Sequence, residues 1–266
     1  MGQLHLIPDW SNLDESFRQA QMWGAAFEYN DFFNMNLVDD KNLLNQRIQM
    51  YKSLPRDRSK DTLHGAFYDI CINSQDSKIA ELSKYRIEQS MEIAQELQIK
   101  GVILHTNIIP GFNIASYVDG WLESNESFLR KILNEYKDIN IYMENMFDTS
   151  PDILAELARR MKDVESFGIC FDVAHGNISP TPMEEWFEKL APYIKHLHIN
   201  DNDGISDLHR PVGKGKLDWN KFKEQIRQNS IESSILVEVS SCKAAQDSLM
   251  YMKKRGIYPF YGDENL

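Results

Sequence analysis

The sequence predicts a single (β/α)8 barrel, an α/β fold spanning residues 1–266 as one domain. Three observations carry that expectation: eight short apolar runs of strand length, polar segments of helical period between them, and no Gly/Ser linker, repeat or low-complexity tract to divide the chain. The runs are "QLHLIP" (3–8), "AAFEY" (25–29), "TLHGAF" (62–67), "GVILHT" (101–106), "INIYMEN" (139–145), "FGICFDV" (167–173), "IKHLHIN" (194–200) and "SILVEVS" (234–240). Each is too short to cross a bilayer and long enough for a buried parallel strand. A doubly wound sheet, the competing fold, normally carries a glycine-rich phosphate turn after its first strand, and here that loop is "PDWSNLDES".

The intervening segments read as crossover helices. In "DSKIAELSKYRIEQSMEIAQELQI" (76–99), Ile79, Leu82 and Tyr85 recur at threes, while Ile87 with Met91 and Ile93 with Leu97 pair at fours. Caps are expected at Ser11 before "NLDESF", at Ser150-Pro151-Asp152 before "ILAELARRM", and at Asp218 before "WNKFKEQI".

Composition excludes several classes. A formal charge of -11 and a pI of about 5.1 argue against a sequence-independent grip on nucleic acid, whose free energy comes from Lys and Arg displacing phosphate counterions. Cys71, Cys170 and Cys242 are odd in number, widely spaced and without CxxC, so neither a disulfide framework nor a thiolate zinc site is predicted. The start, "MGQLHLIPDW", has no basic region followed by a long apolar run, so neither export nor membrane insertion is expected, and a reduced cytoplasm is.

Barrel strands present chemistry at their C-terminal ends. Six consecutive runs, the third to the eighth, carry titratable groups there: His64, His105, Glu144, Asp172 with His175, His198, and Glu238, while the loop after the seventh adds Asp207 and His209. A lone histidine at a strand end is more often a hydrogen-bonded core residue than a ligand. Nine oxygen and nitrogen donors on one rim are different, because each unpaired buried polar group costs on the order of several kcal/mol. A shared divalent cation offsets that cost, and a donor set without cysteine suits zinc, manganese or another borderline ion. His196 lies on the same strand face as His198 but deeper, as a packing or orienting residue, and His5 is expected to be structural.

In order and spacing, "AFEYNDF", "LHGAFYDI", "GVILH", "YMENM", "GICFDVAHGN", "KHLHINDNDGISDLHRPVGKGKLDW" and "ILVEVS" resemble the xylose isomerase-like barrel superfamily, which joins sugar phosphate isomerases and epimerases to endonuclease IV. For the isomerase and epimerase branch the resemblance implies one divalent ion (manganese, magnesium, cobalt or zinc) at Glu144, Asp172, His198 and Glu238. For endonuclease IV it implies three zinc ions, and all nine of its ligand positions have a match: His64, His105, Glu144, Asp172, His175, His198, Asp207, His209 and Glu238. One to three ions are therefore expected. Where the family usually has Gly-Glu-Gly, this chain has Gly213-Lys214-Gly215, beside Arg210 and Lys216. These three basic residues either contact a phosphate of the substrate or form a solvated loop.

The expected function is a metal-dependent sugar or sugar phosphate isomerase or epimerase, acting by proton transfer through a metal-stabilised enediolate. Glu144 and Glu238 serve as ligand and acid/base together. The alternatives are an endonuclease IV-like zinc-dependent hydrolase of abasic-site DNA, a metal-dependent lyase or dehydratase, and, last, a non-catalytic sugar-binding protein. The rim favours a small carbohydrate over DNA: "NDFFNMNLVDDKN" has Phe32, Phe33 and Met35 among Asp31, Asp39 and Asp40, and "NIIPGFNIASYVDGW" has no basic residue. Barrels of this type often form homo-oligomers, but no association patch stands out in the sequence.

Overall fold

The computed structural model describes residues 2–261. Its elements run β1 (Leu4–Leu6), α1 (Leu13–Trp23), β2 (Ala26–Tyr29), α2 (Met35–Val38), α3 (Lys41–Lys52), β3 (Thr62–His64), α4 (Ser77–Leu97), β4 (Gly101–His105), α5 (Ala115–Glu135), β5 (Asn140–Glu144), α6 (Asp152–Arg160), β6 (Phe167–Asp172), α7 (Val173–Ile178), α8 (Met183–Leu190), β7 (Ile194–Ile199), α9 (Trp219–Gln228), β8 (Ser234–Val237) and α10 (Cys242–Arg255). The strands close in sequence order into a parallel barrel, β1 pairing with both β2 and β8. Every one of the eight runs holds a strand that is shorter than the run, in most cases because the run's last residues already turn toward the mouth.

Helix starts differ in part from expectation. Asp218 caps α9 by accepting from the backbone N–H of Asn220 and Lys221. Ser11, by contrast, lies inside a short 3-10 turn whose cap is Asp9, and α1 begins only at Leu13. Pro151 precedes α6 without a side-chain cap. On α4 the buried face is set by Ile87, Met91, Ala94 and Leu97, whereas Ile79, Leu82 and Tyr85 are exposed. Residues at threes drift around a helix of 3.6 residues per turn, so the first two turns carry their apolar side chains off the face that the later pairs at fours define. Cys71, Cys170 and Cys242 are free thiols, and among the described residues no helix is long and apolar enough to cross a membrane.

The long loop after β7 is built around a buried carboxylate. Asp201 accepts hydrogen bonds from the backbone N–H of Gly213 (2.9 Å) and Leu217 (3.1 Å) and from the indole of Trp219 (2.9 Å). Gly215 packs so closely on this residue that a Cβ there would sit 2.3 Å from the Asp201 carboxylate and 2.2 Å from the carbonyl of Asn202, while Gly213 has φ +83°. The Gly-Lys-Gly stretch therefore has a packing reason of its own. Asp201→Ala is expected to destabilise the protein by at least about 2 kcal/mol, since it strands several buried donors; chemical denaturation of the two forms reads the difference.

Candidate metal centre

The barrel register brings the strand-end donors together. His64, His105, Glu144 and Asp172 are the last residues of their strands, His198 is one residue from the end of β7, and Glu238 follows β8. His105 pairs in register with Glu144, and Asp172 with His198. As a result, single donor atoms of Glu144, Asp172, His198 and Glu238 all lie within 4.8 Å of one another, and so do those of His64, His105 and Glu144. Glu144 belongs to both groups: its Oε2 is 3.0 Å from His105 Nε2, and its Oε1 is 3.2 Å from His198 Nδ1. Residues beyond the strands form a third group: Asp207 Oδ2, on the loop after β7, stands 3.4 Å from Nε2 of His175 on α7 and 3.1 Å from His209 Nε2.

Whether these residues fit a cation can be read from their leftover atoms. Glu144 Oε1, Asp172 Oδ2, His198 Nδ1 and Glu238 Oε2 are all buried without a hydrogen-bond partner, one atom from each member of the four-residue group. Buried polar atoms are nearly always satisfied, so four such atoms from one compact group fit a divalent ion of oxygen and nitrogen preference.

The charge states agree. Burial pushes the Asp172 carboxyl up to about 7, against the pull of His175. Burial also raises Glu144 and Glu238, but His198 together with His105 holds Glu144 well below the usual carboxylate range, and His198 with His209 brings Glu238 down to about 2. Burial disfavours a proton on His209, yet Glu238 and Asp207 raise it to about 10. Burial likewise opposes a proton on His175 and on His198, and in both cases the neighbouring carboxylates prevail. Protons on these rings stand where a cation would bind, and ligation requires the neutral imidazole. Raising the pH strips them, so cation affinity is expected to keep rising between about pH 6 and 9, beyond the point near 6.5 where an ordinary histidine site levels off. Titration with zinc at several pH values checks the slope.

Two residues at this centre escaped the sequence reading. Glu28 on β2 is wholly buried, with Oε1 3.0 Å from His198 Nε2 and Oε2 3.1 Å from His196 Nε2. Cys170 on β6 lies with His196 and His198 in a group of the same compactness, but burial drives its thiol well above the usual range and keeps it protonated. His5 bonds through Nε2 to the carbonyl of Lys60 (2.8 Å) and packs edge-on against His196.

Above the donors opens a cavity of about 500 Å³. Trp10, Phe33, Phe67 and Phe147 wall it, His64, His105, Glu144, His175 and Glu238 form its floor, and neither Lys nor Arg is among its lining residues. Arg210, Lys214 and Lys216 are exposed on the loop after β7, outside that lining. His198→Ala is expected to leave a folded barrel that has lost its cation affinity; metal analysis beside a circular dichroism spectrum tests both halves of that statement.

The family model for the xylose isomerase-like TIM barrel matches residues 17–255. Fructoselysine 3-epimerase of Escherichia coli O157:H7 is 28% identical over 117 residues, 44% of this chain and 39% of that protein. Apurinic-apyrimidinic endonuclease 1 of Saccharomyces cerevisiae is 26% identical over 181 residues, 60% of this chain and 48% of that protein. Among solved structures, a D-tagatose 3-epimerase-like protein superposes with a TM-score of 0.72 at 22% identity, covering 95% of this chain and 96% of its own. A closed eight-stranded barrel with its donors at the strand ends, and a family match over nearly the whole chain, place the protein in the xylose isomerase-like TIM barrel family.

Proposed function

We propose that the protein is a metal-dependent isomerase or epimerase of a small sugar without a phosphate group. One observation carries the reading: Glu144 Oε1 and Glu238 Oε2 approach the same nitrogen of His198, at 3.2 and 3.5 Å, on the floor of an aromatic-walled cavity that no Lys or Arg lines. A phosphate would ordinarily be met by such a cation. A polyol needs apolar walls and a few convergent polar groups, which is what this cavity offers. Likeness to a fructoselysine 3-epimerase supports the same direction.

Glu144, Asp172, His198 and Glu238 would hold the divalent ion, which supplies Lewis-acid polarisation of a substrate carbonyl. The remaining work falls to side chains. Glu144 arrives from β5 and Glu238 from the end of β8, so carboxylates enter from different strands of the barrel. One takes the proton from the carbon beside the carbonyl and the other returns a proton to the opposite face, which inverts that carbon; return to the neighbouring atom gives isomerisation. Both are ionised at neutral pH, so the carboxylate that returns the proton first takes one from solvent water, and the one that removed the substrate proton gives it up to water afterwards. Trp10, Phe33, Phe67 and Phe147 give the apolar faces of the substrate walls to lie against. Incubating the metal-loaded protein with a panel of ketohexoses in deuterium oxide, followed by proton NMR, is the test: a ring-carbon signal beside the carbonyl disappears as its epimer or isomer grows.

The third donor group, Asp207 with His175 and His209, favours a second reading, hydrolysis of a phosphodiester by several ions. Likeness to the yeast apurinic-apyrimidinic endonuclease supports it. Cleavage of an abasic-site duplex by the zinc-loaded protein, without isotope exchange into any sugar, would establish this reading in place of the first.

A further inference from the structure

The carboxylate of Glu28 lies beneath the donors, outside the lining of the cavity, and touches nothing that a substrate could reach. Its surroundings hold it still. Oε2 accepts a hydrogen bond from the Thr62 hydroxyl (2.7 Å) and another from His196 Nε2 (3.1 Å). His196 is fixed in turn, with the Ser234 hydroxyl 2.6 Å from its Nδ1, the Tyr142 ring stacked on it at 5.8 Å and His5 edge-on at 5.1 Å. What remains is Oε1, which has no aligned partner and stands 3.0 Å from His198 Nε2, itself without an aligned hydrogen bond.

We propose that Glu28 is a positioning residue for the metal centre: it holds the proton of His198 on Nε2 and thereby turns the Nδ1 lone pair toward Glu144, Asp172 and Glu238. A neutral imidazole has one N–H and one lone pair, and a ligating histidine generally has its other nitrogen fixed by a carboxylate or carbonyl. His198 is the sole imidazole in the four-residue group, so its ring orientation and tautomer decide whether that group offers three donors or four. The relay Ser234, His196, Glu28, His198 spans the barrel interior, because Ser234 also lines a separate cavity at the N-terminal end of the strands. This inference rests on His198 being a metal ligand and is independent of which substrate the cavity takes.

Glu28→Gln separates positioning from simple core pairing. In that variant the carbonyl oxygen is drawn to the site of Oε2, where Thr62 and His196 both donate, leaving the amide NH2 facing His198 Nε2. Two N–H donors cannot share that contact, so His198 must move its proton to Nδ1 and cover the lone pair a cation needs. Zinc and cobalt affinities, measured by competition with a chromophoric chelator, are expected to fall about 10- to 100-fold, and the visible spectrum of the cobalt-loaded protein is expected to change. Thr62→Val, which removes a pin on Oε2 at nearly constant volume, is expected to lower affinity in the same direction by a smaller factor, and it serves should the first variant not fold. Affinity and cobalt spectrum equal to those of the unsubstituted protein, whatever happens to the melting temperature, overturn the proposal and leave Glu28 as a core ion pair. An unsubstituted protein that takes up neither cation overturns the metal centre and the proposal together. Failure of sugar turnover with these affinity changes intact refutes only the proposed reaction.

Discussion

Glu144→Gln is expected to lower turnover by about 10³-fold or more and to reduce the metal content of the protein at the same time. The two effects share a cause. Glu144 is the one carboxylate common to the His64–His105 group and the Asp172–His198–Glu238 group, with a different oxygen turned to each. Gln has nearly the same shape but no charge, and its NH2 can only donate. Whichever way the amide turns, one group faces a donor where it had an acceptor, and His105 or His198 loses its ionic partner. The barrel should persist, because the side chain lies at the mouth and the β4–β5 and β5–β6 ladders beneath it are backbone pairing. Turnover assays, metal analysis and a circular dichroism spectrum on one preparation check the three parts.

Glu238→Gln should separate chemistry from ligation more cleanly. Glu238 belongs to one donor group, so the set formed by His64, His105 and Glu144 keeps all its members. Its expected loss in turnover is about 10²- to 10⁴-fold, the range for removal of a positioned acid or base, with metal lost from the four-residue group only. Solvent deuterium exchange adds a sharper readout. If Glu144 and Glu238 work on opposite faces of the substrate, the variant should still exchange a proton on one face while failing to make the epimer. Equal loss of exchange and of product would assign both events to Glu238 or to neither.

The donors were legible in the sequence because barrel geometry makes a one-dimensional rule of them: a polar residue closing a β-run points at the mouth. His64, His105, Glu144 and Asp172 end their strands, and the structure gathers them with His198 and Glu238. Glu28 was not legible for the same reason. It lies inside "AFEY", where a carboxylate in a short strand reads equally well as pointing outward or inward, and only closure of the barrel brings Glu28 on β2 to His196 on β7, 168 residues away in the chain. Asp201 was hidden differently. In "NDNDG" it looks like one more loop acid, and its role depends on backbone N–H groups of Gly213 and Leu217 that adopt their positions only in the folded loop. The helical pattern in α4 misled over its first turns because periodicity records which side chains share a face but not which face the barrel covers, and Ile79, Leu82 and Tyr85 sit where no neighbour packs over them.

The central claim is that Glu144, Asp172, His198 and Glu238 enclose a divalent cation. Its most direct measurement is anomalous X-ray diffraction from crystals of the protein loaded with manganese and, separately, with zinc. The account predicts an anomalous peak bounded by Glu144 Oε1, Asp172 Oδ2, His198 Nδ1 and Glu238 Oε2, the partnerless atom that each member turns to the group, at ordinary ligand distances of about 2.0–2.2 Å. A map with no peak among those four atoms, from crystals whose solution shows the metal in excess, would contradict it.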